Sequence, residues 1–129
     1  MLLPVNPVEA VIGGFLDKVI PAARERGIGV IGMKVLGDGQ YLDRCRGLSV
    51  ENLIRFARSQ DVDLVIGGSL TPGEVQSHLL FGKEQAPMDD DEQAHMIETV
   101  HLSAERLAYY RGLSERSSEG AGASLGDDY

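Results

Sequence analysis

Ala23-Arg-Glu-Arg-Gly-Ile-Gly-Val-Ile-Gly-Met-Lys-Val-Leu-Gly-Asp-Gly39 joins a charged helix end to a glycine stop, an apolar run and a glycine-bracketed loop. That is the passage from a helix into a buried parallel strand and out into the loop at its C-terminal end. In α/β proteins this loop is where ligands bind. The same grammar recurs at Gln60-Asp-Val-Asp-Leu-Val-Ile-Gly-Gly-Ser69, about one βα unit later. The chain reads as consecutive βα units.

Working outward, Leu2–Val5 is a short apolar run ended by Asn6-Pro7 and reads as a first strand. Phe15 to Arg26 has helical periodicity. Pro21 is compatible only with a first turn, so the helix is expected to start near Asp17 and to stop at Gly27. Ile28–Val35 lacks polar alternation, which predicts a strand covered on both faces. Gly37 to Gly47 is expected to be a loop. Ser49 caps a helix whose inward face carries Val50, Leu53, Ile54 and Ala57. Val62–Ile66 is the third strand. Thr71-Pro72-Gly73-Glu74 opens another helix with a capping box, ended by Gly82. A last helix starts at Pro87 and Asp89–Asp91 and runs to Arg111, with Met96, Val100, Ala104 and Leu107 or Ala108 inward. Residues 1–112 form one α/β unit, and residues 113–129, rich in Ser, Glu, Gly and Ala, are expected to be a disordered tail.

The 129 residues carry a formal charge of −8, with 43% apolar and 25% charged residues. A strongly acidic chain without clustered Lys and Arg is not expected to bind a nucleic-acid backbone. No apolar run approaches the roughly 20 residues of a membrane helix, and no basic-then-apolar leader opens the chain. The one cysteine, Cys45, excludes an intrachain disulfide framework and any multi-cysteine metal site, and fits a cytoplasmic protein. Its neighbours Arg44 and Arg46 are of the sign that lowers a thiol pKa, against the plain reading of an incidental thiol.

Gly27-Ile-Gly-Val-Ile-Gly32 matches the dinucleotide pattern G-x-G-x-x-G. Its glycines precede and enter a strand instead of opening a helix, so the match is spurious. Gly67-Gly-Ser-Leu-Thr-Pro-Gly-Glu74 does follow a strand and open a helix. Its glycines permit close backbone approach, Ser69 and Thr71 offer hydroxyls, and the first helical amides favour an anion. The competing reading is a plain βα turn with a capped helix. Lys34, at the end of the second strand, suits a Schiff base if desolvated, or an ion pair at the mouth of the sheet. Asp89–Asp91 reads as a macrodipole partner before it reads as a chelator. His95 and His101 have no evident partner, whereas His78 lies one turn into the helix after the candidate phosphate loop.

Leu3-Pro-Val-Asn-Pro7, Val19 through Gly39 and Val65-Ile-Gly-Gly-Ser-Leu-Thr-Pro-Gly-Glu-Val75, in that order, resemble the C-terminal part of the aldo-keto reductase family. The similarity spans residues 2–82 and, more loosely, the helix to Arg111. It implies a partial (β/α)8 barrel, about the last three βα units and a C-terminal helix. Leu2–Val5 would be the sixth strand, Ile28–Met33 the seventh and Val62–Gly67 the eighth. It implies NADP as cofactor and a small carbonyl compound as substrate of the full enzyme. Met33 falls where a side chain packs on the nicotinamide, and Leu36 and Gly37 in the loop crossing the cofactor. Gly68, Ser69 and Thr71 fall near the adenosine 2′-phosphate, and Glu74 close to the adenine. His78 stands where the family has Asn. The family's Asp, Tyr, Lys and His tetrad belongs to earlier strands, and Lys34 is not its lysine. The expectation is a fragment without a catalytic residue or metal, inactive alone, which self-associates or needs the missing barrel portion. The alternative is a non-catalytic binding or assembly module that uses an exposed sheet edge.

Overall fold

The computed structural model describes residues 1–84 and 86–112. The disordered tail expected at 113–129 lies outside the described residues. Three parallel strands, β1 (Leu2–Pro4), β2 (Ile31–Met33) and β3 (Leu64–Val65), form one sheet in the order β1-β2-β3. Leu2 pairs with Ile31 and Leu3 with Gly32, while Ile31 also pairs with Leu64 and Gly32 with Val65. The chain is α/β, with helical connections between its parallel strands.

The strands are shorter than their apolar runs, for local reasons. The Ile28 amide closes the preceding helix on the Ala23 carbonyl at 2.9 Å. At the other end, Lys34 turns into the left-handed region at φ 52° and ends β2. Val5 and Ile66 still donate to Met33 O and Gly32 O, at 2.9 and 2.8 Å.

Asn6-Pro7 ends β1 but also opens a helix that the sequence reading left out, α1 (Pro7–Ile12). The Asn6 side chain accepts the Glu9 amide at 3.1 Å, and Pro7 occupies the first turn, where its missing donor costs nothing. A single wide π-helical turn, Phe15–Val19, leads into α2 (Ile20–Glu25), which keeps Pro21 in its first turn. The segment Gly37–Gly47 is not simply a loop. A 3-10 turn at Gly37–Gly39 feeds α3 (Gln40–Arg44), because burying Tyr41 draws the segment into the core.

In α4 (Val50–Arg58), Ser49 and Asn52 cap each other reciprocally, and Phe56 joins Leu53, Ile54 and Ala57 in the core. Helix α5 (Pro72–Glu84) continues through Gly82. The expected last helix is broken at Leu102–Ser103 into α6 (Asp90–His101) and α7 (Ala104–Leu107), followed by a 3-10 turn at Tyr109–Arg111. The kink preserves the inward stripe: Met96, Val100, Ala104, Leu107 and Ala108 are all buried. Both α6 and α7 pack on α1.

The core lies on one side of the sheet. Leu3, Val5, Val30 and Val35 are buried there with the inward residues of the helices. On the other side Leu2 is 52%, Leu64 55% and Ile66 48% exposed. The expectation of cover on both faces concerns Ile28–Val35, whose Ile31 and Met33 are half-buried on that side; the exposed apolar residues belong to the flanking strands. On that face Pro4 is buried too, so the exposure is confined to Leu2, Leu64 and Ile66 among its apolar strand residues. No helix of the described residues is long and apolar enough to cross a membrane.

Candidate functional site

The turn from β3 into α5 adopts the predicted capping box. Thr71 Oγ1 accepts the Glu74 amide at 3.2 Å, while the Glu74 carboxylate accepts the Leu70 and Thr71 amides at 2.6 and 3.4 Å. The amides expected to face a phosphate are thus held by a carboxylate of the same turn. An incoming anion has to displace Glu74 from them. Beside it, Ser69 Oγ lies 2.9 Å from His78 Nδ1. A Cβ at Gly67 would come within 3.1 Å of that ring nitrogen, so this glycine lets His78 approach the strand end. A Cβ at Gly68 would meet nothing within 4 Å, which leaves its backbone open to a ligand.

Gly67, Ser69 and His78 border a cleft of about 670 Å³ between β3 and α5. Arg58 and Lys83, distant in sequence, line the same cleft. The loop Gly67–Glu74 itself carries no basic side chain. The fold brings two to its vicinity from the ends of α4 and α5.

Met33 sits half-buried at the C-terminal end of β2, next to the end of β3, and so shares the rim with Gly67. Leu36 and Gly37 have a structural role in this chain. Leu36 packs on the core, and Gly37 is buried at φ 56° with a would-be Cβ only 2.5 Å from the Tyr41 ring. The polar group of that turn is Asp38. Lys34 Nζ lies 2.5 Å from its carboxylate, and Tyr109 OH donates to the same oxygen. The Lys34 hydrogen bond, with that of Tyr109, holds the Asp38 carboxyl below its usual range. In return Asp38 raises the Lys34 ammonium above the ordinary lysine value. A Schiff-base nucleophile needs the opposite shift, so Lys34 is the ion pair at the sheet mouth.

Behind this turn lies a buried polar cluster that sequence reasoning missed. Glu9 is 0% exposed and accepts from Tyr110 OH at 2.7 Å and from Arg111 Nε at 3.1 Å, with a further ion pair to the Arg111 guanidinium. Asn6 Nδ2 donates to Lys34 O and to Tyr110 OH, both at 3.0 Å. Tyr41 OH lies 3.4 Å from Tyr110 OH. Burial pushes both phenols well above the usual tyrosine value, so they remain protonated donors. Asn6-Pro7 followed by Glu9 is a legible helix start, but partners a hundred residues away are not.

Cys45 is buried, and burial pushes its thiol up despite the opposing charge of Arg106. The sharper alternative, a thiol lowered by Arg44 and Arg46, is thus not supported, and the plain reading of an incidental thiol stands. Asp89 caps α6, accepting the Glu92 amide at 2.8 Å while Glu92 bonds Arg55, so that run is engaged in helix structure. His95 and His101 are exposed. No protein-family model, curated protein or solved structure matches the chain.

Proposed function

We propose that this chain is the C-terminal portion of an aldo-keto-reductase-like (β/α)8 barrel, carrying the adenosine-phosphate half of an NADP site. The observation that carries this reading is the exposed apolar Leu2 on β1 and Leu64 and Ile66 at β3, on one face of three sequential parallel strands. In a closed barrel such a face points inward and is packed by residues of the other strands. The order of the strands and the position of Met33 and Gly67–Thr71 at one end of the sheet support it further.

The cofactor supplies hydride to a carbonyl carbon. This chain's share is binding: Ser69 and Thr71 hydroxyls and the loop amides for a phosphate, and Met33 as an apolar wall. The fit is partial, because Glu74 already occupies two of those amides. Among the described residues none is assigned as the general acid that carbonyl reduction needs. Lys34 is committed to Asp38, and the buried tyrosines to Glu9 and Asn6.

Titration of the folded, isotope-labelled chain with adenosine 2′,5′-bisphosphate is expected to move the amides of Gly67, Gly68, Ser69 and Thr71. Shifts scattered elsewhere, or none at millimolar ligand, reject the loop as a nucleotide site. Steady carbonyl-dependent oxidation of NADPH that survives Lys34→Ala would sink the fragment reading, and loss of that activity in the variant would restore lysine chemistry. Among the described residues β3 has a neighbour on one side only, which supports a second reading, a binding or assembly module. A monodisperse monomer with a sharp cooperative melt points to that reading.

A further inference from the structure

The turn from β3 into α5 sets a hydroxyl against an imidazole. Ser69 Oγ lies 2.9 Å from Nδ1 of His78, which α5 carries nine residues later. Gly67 leaves room for the approach, since a Cβ there would stand 3.1 Å from that nitrogen. With the ring proton on Nε2, Nδ1 accepts from the serine hydroxyl, the direction in which a base takes a nucleophile's proton. Both side chains are half-buried and border the cleft of about 670 Å³. Val65, Val75 and Leu79 give the same cleft apolar walls. The Leu70 and Thr71 amides are taken by the Glu74 carboxylate. Those of Gly68 and Ser69 have no acceptor among the described residues, and a Cβ on Gly68 would meet nothing within 4 Å. These two N–H groups are open to an oxyanion.

We propose that Ser69 and His78 form a nucleophile–base pair that takes acyl groups from small uncharged esters bound in this cleft. Ser69 Oγ bonds to the carbonyl carbon as its proton passes to His78 Nδ1, and the Gly68 and Ser69 amides donate to the oxyanion. As the tetrahedral centre collapses, the bond from carbon to the leaving oxygen breaks and Nδ1 returns the proton to the alcohol. Water then gives a proton to Nδ1 and adds to the acyl carbon. Ser69 Oγ departs with that proton, and the carboxylic acid is released. Among the described residues no carboxylate bonds the His78 ring, so the imidazolium lacks the third group of a triad. The second step is therefore slow, and the acyl-serine accumulates. The pair stands independently of the barrel reading, since it needs neither NADP nor any missing strand.

The test uses the full chain with diisopropyl fluorophosphate and with p-nitrophenyl butyrate. The fluorophosphate is expected to phosphorylate Ser69, a position read by fragmenting the tryptic peptide 59–83. The ester should give a stoichiometric burst of p-nitrophenol and then slow turnover, leaving butyryl on the same hydroxyl. His78→Gln should slow both reactions by about 100-fold, the low end of what a positioned base supplies. Ser69→Ala should remove both, with amide spectra showing that each variant is folded. A folded chain that stays unlabelled in excess probe overturns the proposal. So does a label at Ser77 or any other residue, or butyryl on His78 itself. Equal rates in the parent chain and a folded His78→Gln chain overturn the role of His78 as base. Should either variant unfold, Gly67→Ala takes its place: the new Cβ presses on Nδ1 and should slow labelling, and an unchanged rate overturns the pairing.

Discussion

Glu74→Gln should tighten the binding of adenosine 2′,5′-bisphosphate to the β3–α5 turn. In the free chain the Glu74 carboxylate accepts the Leu70 amide at 2.6 Å and the Thr71 amide at 3.4 Å, so it stands where an anion would dock. A phosphate there displaces the carboxylate or sits beside it. Two unit charges about 4 Å apart repel by about 1 kcal/mol in water and about 4 kcal/mol at a near-surface effective dielectric of ~20. Glu74 is exposed, so the low end applies. The expected gain is about 1–2 kcal/mol, or roughly 5- to 30-fold in Kd. Glutamine keeps an acceptor for the two amides, and any loss of the cap should cost below about 1 kcal/mol of stability. Amide titrations of both proteins at low and high salt measure the effect, and the difference between them should shrink as salt rises. An unchanged or weaker Kd in a folded Glu74→Gln chain would refute the reasoning, because the turn would then not be where the phosphate binds.

Arg111→Met leaves the fully buried Glu9 carboxylate without its cation and should cost about 3 kcal/mol in urea unfolding, the low end for breaking a buried pair. A change within about 0.5 kcal/mol, the range of ordinary surface substitutions, would mean the pair is not what holds the C-terminal turn. Gly37→Ala forces a left-handed alanine against the Tyr41 ring and should destabilise by about 2–4 kcal/mol, again read from urea midpoints. Asp38 has a lowered folded pKa, so its contribution is complete above the usual aspartate range and is lost as pH falls through the folded value. Lys34 is raised, so its share persists through neutral pH and is lost only above the ordinary lysine range. Acid should therefore release Tyr109 from the β2–α3 turn, seen as ring resonances that move with pH. Asp38→Asn should abolish that acid limb, and a limb that persists in the variant assigns it elsewhere.

The periodicities and punctuation of the chain were enough to read its α/β order, and the reasons are local. Pro21 had to sit in a first turn, Ser49 and Thr71 had to cap, and the stripe from Met96 to Ala108 had to turn inward. Each of these depends on chemistry within a few residues, and each is found. Strand ends were overestimated, because an apolar run does not say where a backbone turns left-handed, as it does at Lys34. Helix α3 was missed because only the tertiary burial of Tyr41 makes a glycine-rich segment wind up. The Gly67–Glu74 turn was legible as strand, loop and capped helix. That its own carboxylate fills the amides, and that Arg58 and Lys83 reach its cleft, depends on side chains meeting in space. The same holds for Glu9, Tyr110 and Arg111, whose separations of over a hundred residues carry no periodic signal. The sequence by itself determined the order of the three strands and of the capped helices α4, α5 and α6, since capping and periodicity are local, but not α1 or α3. Only the tertiary structure decided which strand residues stay exposed and which charges find partners, because burial and ion pairing depend on distances across the fold.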